Sequence, residues 1–190
     1  MAIAARRAVS SDICWVAELY SANQRDALTA QERTDHGYVQ GSLDTQALEQ
    51  RLNSQTPSFV AETDDEPAGV LFTSTAEGNQ PGPPRLAVET AKRAGITDMF
   101  LYGPVLVSRH ARRSGLLRAM SEAAFNWADG KYAEALAFVE DENILSRQIH
   151  DHLGWRFVGS FTWRESSYSV LAYSVPDWNS RTSLTRQSNF

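Results

Sequence analysis

An α/β domain with a mixed, mostly antiparallel central sheet flanked by helices is the fold class this chain predicts, and three observations predict it. Extended apolar runs and helical patterns follow one another in the order β-α-α-β-β-(α)-β-α-β-α-β-β. One run, Met99 to Val107, ends abruptly in a basic turn of small residues, Ser108 to Gly115, with a helical pattern directly behind it. Near the C-terminus, Trp155 to Trp163 alternates with period two and is followed by a second apolar run, the mark of a closing hairpin.

Taken in order, Ile3 to Val9 reads as a first strand. Ser10 or Ser11 is placed to cap a helix, with Asp12 in its first turn and Ile13, Val16, Ala17 and Tyr20 on one face. Residues 23–41 are polar and irregular apart from a turn of helix near Ala30 to Arg33. Asp44 caps a second helix whose apolar face is Ala47, Leu48, the stem of Arg51, and Leu52. A hairpin follows, with strands Ser58 to Glu62 and Ala68 to Thr73 joined by the acidic turn Asp64-Asp65-Glu66-Pro67. Glu77 to Arg85, rich in Gly and Pro, predicts a loop, and Leu86 to Ala94 a short helix ended by Gly95.

The central strand is Asp98 to Val107. Behind the basic turn, helix Leu116 to Ala128 carries Leu116, Met120, Ala123, Ala124 and Trp127 on one face and stops at Gly130. Ala135 to Val139 is a short buried strand, and Asn143 to Leu153 a helix ended by Gly154. In the last hairpin the alternation places Trp155, Phe157, Phe161 and Trp163 on one face and Arg156, Val158, Ser160 and Thr162 on the other. Ser167 to Val175 returns, and Pro176 breaks the strand. The expected organisation is a single domain over 1–176 with a polar tail over 177–190, aperiodic and either mobile or packed on a partner.

Composition narrows the function. With 190 residues the chain is long enough for one sizeable core, and 42% hydrophobic with 22% charged residues is the balance of a globular domain. A net charge of −5 argues against nucleic acid as a partner. No run approaches a membrane span and no apolar segment follows Arg6 and Arg7, so the expectation is no membrane association and a cytoplasmic location. Cys14 is the single cysteine, which excludes a disulfide framework and a cysteine metal cluster within the chain. His150 and His152, at i and i+2, lie on different helix faces, so no metal is expected there.

The turn after Val107 carries the chemistry. A strand feeding a turn at a helix N-terminus points backbone N–H groups outward and makes an anion site. Arg112 and Arg113 add fixed charge, and Gly115 lets a ligand approach the backbone. Diphosphate is the anion this arrangement suggests. The alternative is a solvated basic surface turn of Arg109, Arg112 and Arg113.

Val105-Leu-Val107, followed after four residues by Arg112-Arg-Ser-Gly115-Leu-Leu117, resembles the acetyl-CoA motif of the GNAT N-acetyltransferase superfamily, a strand followed by Arg/Gln-x-x-Gly-x-Gly/Ala at a helix start. Asn143-Ile-Leu-Ser146-Arg-Gln-Ile-His150-Asp-His-Leu-Gly154-Trp155 resembles that family's helix Asn-x-x-Ser/Ala-x-x-x-Tyr-x-x-x-Gly-Phe. The resemblance is specific over about Met99 to Val175. It departs from the pattern in three places. Leu117 replaces Gly or Ala, His150 replaces the usual Tyr, and Leu101 stands about where some members carry a glutamate base.

The resemblance implies a GNAT-like acyl-CoA N-acyltransferase fold and acetyl transfer from acetyl-CoA, as co-substrate and without a metal, to a primary amine of a small molecule or peptide by direct attack in a ternary complex. It assigns Val105, Val107, Arg112, Arg113, Ser114, Gly115, Leu116, Leu117, Asn143 and Ser146 to coenzyme A. It assigns the Val107 N–H to the oxyanion and His150 to the acid that protonates the leaving thiolate. It also implies that the region holding Arg25, Asp26, Glu32, Asp35, His36 and Tyr38 borders the acceptor. Tyr102 is a third catalytic candidate.

Each assignment has a structural alternative. His150 reads equally as a satisfied structural histidine, Asn143 as a helix cap, Tyr102 as core, and the aromatics of the last hairpin as a sheet face. The rival function is a non-catalytic acyl-CoA-binding module, a sensor or assembly partner, and a homodimer through the last hairpin and the tail is left open.

Overall fold

The computed structural model describes residues 3–41, 43–64, 66–77 and 81–187, with side chains to Arg181. In chain order the elements are β1 (Ile3–Arg7), α1 (Ile13–Ala22), α2 (Ala30–His36), α3 (Thr45–Leu52), β2 (Phe59–Thr63), β3 (Glu66–Thr75), α4 (Pro83–Arg93), β4 (Met99–Val107), α5 (Leu116–Ala128), β5 (Glu134–Glu140), α6 (Ile144–Leu153), β6 (Arg156–Trp163), β7 (Ser166–Ser174) and α7 (Val175–Gln187). The strands form one seven-stranded sheet in the order β1-β2-β3-β4-β5-β7-β6. The β4–β5 pair is parallel, and β1–β2, β2–β3, β5–β7 and β6–β7 are antiparallel. No described helix is long and apolar enough to cross a membrane. By their contacts the residues gather into two compact units, Met1–Thr73 with Gly103–Ala124, and Ser74–Tyr102 with Phe125–Phe190.

In the first unit, α1 and α3 lay Val16, Tyr20, Leu48 and Leu52 on Val60 of β2, Val70 and Phe72 of β3, and Leu106 of β4. Each fully buried aliphatic side chain here contributes about 1.5–3 kcal/mol through removal of its surface from water. Asp44 caps α3, its carboxylate accepting from the Ala47 N–H at 2.7 Å.

The expected serine cap before α1 is corrected. Ser10 and Ser11 lie in a 3-10 turn, α1 has no side-chain cap, and the Asp12 carboxylate accepts instead from the Val9 N–H ahead of that turn at 2.8 Å. Asp12 is buried, and it also accepts a two-pronged ion pair from Arg6 (2.8 Å twice) and a bond from Trp15 Nε1 at 3.1 Å. Burial pushes its carboxyl pKa up, but the bonds from Arg6, Val9 and Trp15 outweigh this and hold it below the usual carboxylate value.

The segment over 23–41 is also more ordered than its polarity predicts. Thr29 and Glu32 cap α2 reciprocally, and the Val39 N–H donates to the Asn23 carbonyl at 2.9 Å.

In the second unit, α4 packs Ala87, Val88 and Ala91 against Met99 and Leu101 of β4, Leu136 of β5, and Val170 and Ala172 of β7. Helix α4 starts at Pro83, inside the stretch expected to be loop, because proline suits the first helical turn. Residues 78–80 of that stretch, like Asp65 of the acidic turn, lie outside the described residues.

Two further expectations are overturned. The aromatic alternation of the last hairpin breaks at a bulge between Phe157 and Gly159, where β6 slips by one residue against β7. Trp155 is consequently buried ahead of the strand, Phe157 is 64% exposed, and Val158 and Phe161 pack against the same core cluster. The tail is the other. Residues 175–187 form α7, with Pro176 in its first turn, where proline is tolerated, and Trp178 stacked on Phe125 at 4.4 Å and 8°. Ser188, Asn189 and Phe190 of the expected tail lie outside the described residues.

Candidate functional site

The basic turn belongs wholly to the first unit. Strand β4 ends at Val107, a 3-10 turn over Arg109–Ala111 follows, and α5 begins at Leu116. Ser114 Oγ closes the turn by donating to the Ala111 carbonyl at 2.6 Å. Arg113 at φ +63° and Gly115 at φ +100° turn the chain through the left-handed region. Glycine is the residue that takes such a φ without strain; Arg113 is held in it by its surroundings. The N–H groups of residues 112–117 donate to no backbone carbonyl among the described residues, as expected at a helix N-terminus, and they are the donors an anion would find.

The three arginines differ in their placement. Arg109 pairs with Glu32 at 3.0 Å. The Glu32 carboxyl is lowered to about 2, chiefly by the Thr29 N–H and then by Arg109. Arg112 is half-buried. Its Nε lies 3.4 Å from the Val107 carbonyl and its Nη2 3.5 Å from Asn23 Oδ1, and burial, with the like charge of Arg109, lowers its pKa. Arg113 is exposed and forms no ion pair among the described residues. Leu116 is buried and contributes only its backbone outward; Leu117 is half-buried.

The backbone leading to the turn presents a second set of donors. The Ser108 N–H donates to the Ala68 carbonyl of β3 at 2.7 Å. Alternation along the strand turns the N–H groups of Val107 and Val105 to the other edge. The parallel register of β4 with β5 covers Met99 to Leu101 against Glu134 to Leu136 and goes no further. Gly103 at φ +111° and Pro104, which has no N–H, stand where that register ends.

In the second unit the Asn143-to-Gly154 pattern forms α6 as its spacing predicts. Asn143 is buried and caps the helix, its Oδ1 3.4 Å from the Ser146 N–H, and Gly154 ends it at φ +84°. One turn along, the His150 Nδ1 donates to the Ser146 carbonyl at 2.7 Å, which leaves Nε2 as the acceptor of the neutral ring. The ring meets Trp155 edge-on at 5.0 Å. Desolvation lowers the His150 pKa against the smaller opposing effects of Ser146 and Asp151, which favours the neutral imidazole. Tyr102 is buried in an aromatic cluster with Phe125 (6.0 Å) and Trp155 (5.0 Å). Among the described residues no group of His, Cys, Asp or Glu is arranged to hold a metal.

One charged residue escaped the sequence reading. Arg51 was counted for its stem on the apolar face of α3, and its guanidinium stays on that face, 5.4 Å from the centroid of the fully buried Phe72. A cation at an apolar-face position between Leu48 and Leu52 was the available signal.

Neither a family model nor a curated protein matches this sequence. Solved structures match its fold. The smu.2055 protein of Streptococcus mutans UA159 is 20% identical over 92% of this chain and 99% of its own, with a TM-score of 0.66. The yncA protein of Salmonella typhimurium, solved with its cofactor acetyl-CoA, is 18% identical over 92% and 95%, with a TM-score of 0.62. An acetyltransferase of the GNAT family from Streptococcus pneumoniae is 13% identical over 91% and 99%, with a TM-score of 0.60. The seven-stranded mixed sheet with flanking helices is therefore the fold of GNAT acetyltransferases.

Proposed function

We propose that this protein is an acetyl-CoA-dependent N-acetyltransferase acting on a primary amine of a small molecule or peptide. The observation that carries the proposal is a pair of outward backbone donor sets in the first unit, the Val105 and Val107 edge of β4 and the turn over residues 112–117 at the start of α5. A diphosphate with an extended amide chain is the ligand class that such a pair fits, an anion at the helix N-terminus and amides along the strand edge. The residues of the first unit that would hold it are Val105, Val107, Arg112, Arg113, Ser114, Gly115, Leu116 and Leu117; the family resemblance adds Asn143 and Ser146.

When bound, acetyl-CoA supplies the acetyl group as a thioester: the amine nitrogen forms a bond to the carbonyl carbon and the carbon–sulfur bond breaks. The chain's own groups serve the charge and the proton. The Val107 N–H stabilises the negative charge that develops on the carbonyl oxygen. The family resemblance assigns His150 to the proton that the leaving thiolate takes up as the amine gives one up to solvent. His150→Phe is expected to lower kcat more than cofactor affinity. A cytoplasmic location, consistent with the exposed free thiol of Cys14, is part of the same proposal.

Calorimetric titration with acetyl-CoA tests the reading. The wild type should bind and Gly115→Glu should not, because a carboxylate would stand among the anion's donors in a backbone conformation that side chains rarely adopt. Equal affinity in the two proteins would disprove the turn assignment. Binding without thiol release across a broad amine panel would instead select the acyl-CoA-binding module.

A further inference from the structure

Among the described residues, the core of the first unit contains a cation with no carboxylate partner. Arg51 leaves α3 between Leu48 and Leu52, and its guanidinium lies over the face of Phe72, 5.4 Å from the ring centroid. Phe72 in turn meets Tyr20 edge-on at 6.4 Å and 80°, and the Tyr20 hydroxyl donates to the Gln40 carbonyl at 3.1 Å. Among the described residues no carboxylate pairs with Arg51, and its side chain donates no hydrogen bond. Three other half-buried arginines of this unit donate: Arg6 to Asp12 and Glu62, Arg33 to the Leu28 carbonyl, and Arg112 towards the Val107 carbonyl and Asn23 Oδ1. A guanidinium withdrawn from water with no acceptor for its five N–H groups is unfavourable by itself. Burial lowers the Arg51 pKa accordingly.

We propose that Arg51 is a carboxylate subsite and that the acceptor of acetyl transfer is a small primary amine carrying a carboxylate, as an α-amino acid does. The inference deepens the acetyltransferase reading and rests on it. Three features set the ligand class. Arg51 as a residue is half-buried and so is not sealed from solvent. The planar fork accepts a carboxylate through two parallel bonds, and Phe72 fixes the plane. The side chains packed around it, Val16, Tyr20, Leu48 and Leu52, are apolar or aromatic, so the single charge of Arg51 matches a single negative charge.

Leu106 ties the subsite to the reacting strand. It belongs to the same cluster as Phe72 and Tyr20 and lies between Val105 and Val107, whose backbone is assigned to the thioester. In the reaction the carboxylate forms and breaks no covalent bond. It stays paired with Arg51 while the amine nitrogen forms the bond to the acetyl carbon as described above.

The test is thermal unfolding of the wild type, Arg51→Met and Arg51→Lys with the L-amino acids, with the amides of the same amino acids and with inorganic phosphate. Thiol release with acetyl-CoA is read on the same panel. At least one amino acid should raise the Tm of the wild type while its amide does not. Arg51→Met should lose that shift and raise the KM for that amino acid by about tenfold or more, with acetyl-CoA affinity unchanged. Arg51→Lys keeps the charge without the fork and should be weakened in the same direction, which serves if the methionine variant fails to fold.

Three outcomes would overturn the proposal: amides acting as well as acids, an amino-acid shift that survives both substitutions, or a response to phosphate alone. An intact amino-acid response without acetyl-CoA binding would retire acetyl transfer and leave the carboxylate subsite standing. Acetyl-CoA binding and transfer to amines regardless of a carboxylate would retire the subsite and leave the acetyltransferase.

Discussion

His150 shows how a single residue's surroundings change its chemistry. Sequence position assigns it to an acid, and an acid at that step has to be an imidazolium. The ring is instead desolvated beside Trp155 and donates from Nδ1 to the Ser146 carbonyl, which favours the neutral form with Nε2 as acceptor. The sign of the resulting pH dependence follows. The folded-state pKa is lowered, so between it and the unfolded value of about 6.5 the unfolded chain binds more protons. Stability is therefore fully present above about pH 6.5 and is lost as pH falls through the folded pKa. Denaturant unfolding from pH 7.5 to 5 should show this loss in the wild type and a flatter profile in His150→Phe. Parallel profiles would mean that the ring is not desolvated in solution.

Elements are held at their ends by a few side chains, and these are of two kinds. Asp44 and Asn143 cap α3 and α6 where the sequence places them, because a cap is a local contact between residues three apart. The turn before α1 is closed by the Asp12 carboxylate on the Val9 N–H, and that carboxylate is fixed by Arg6 at the end of β1. Strand β6 shows the limit of local pattern. Its period-two pattern is real, but the bulge after Phe157 moves Phe157 out to solvent and brings Val158 to the core, since a one-residue slip exchanges the faces.

The same strand supplies a prediction. A Cβ on Gly159 would lie 2.8 Å from the Thr90 Cγ2 of α4. Gly159→Ala should destabilise the protein by about 1–3 kcal/mol through overpacking. Combining it with Thr90→Ser, which removes the methyl group, should recover most of that loss in urea unfolding. No recovery would place the strain elsewhere.

Across the whole molecule, α7 marks the clearest difference between pattern and packing. The last residues are polar and show no helical stripe, yet the helix forms because Trp178 stacks on Phe125 and meets Tyr173 at 5.3 Å. Deletion from Pro176 onward should therefore cost at least the about 3–5 kcal/mol typical of removing a buried aromatic, read as a lowered urea midpoint. If the midpoint is unchanged, the helix contributes no packing energy and the end of the chain is dispensable for folding.

The element order, the position of the basic turn and the two motif helices were legible in the sequence, because each rests on local spacing, turn residues and period. Gly115, Arg113 and Gly154 adopt the left-handed conformations that such turns need. What the sequence left open depends on burial and on contacts that spacing does not announce. The Arg51 guanidinium against Phe72, the Arg6–Asp12 ion pair, the end of the β4–β5 register after Leu101 and the desolvation of His150 were each decided by tertiary structure. Burial and the presence or absence of a partner are properties of the assembled fold, and they set whether a charge is compensated or an N–H group is left to bind a ligand.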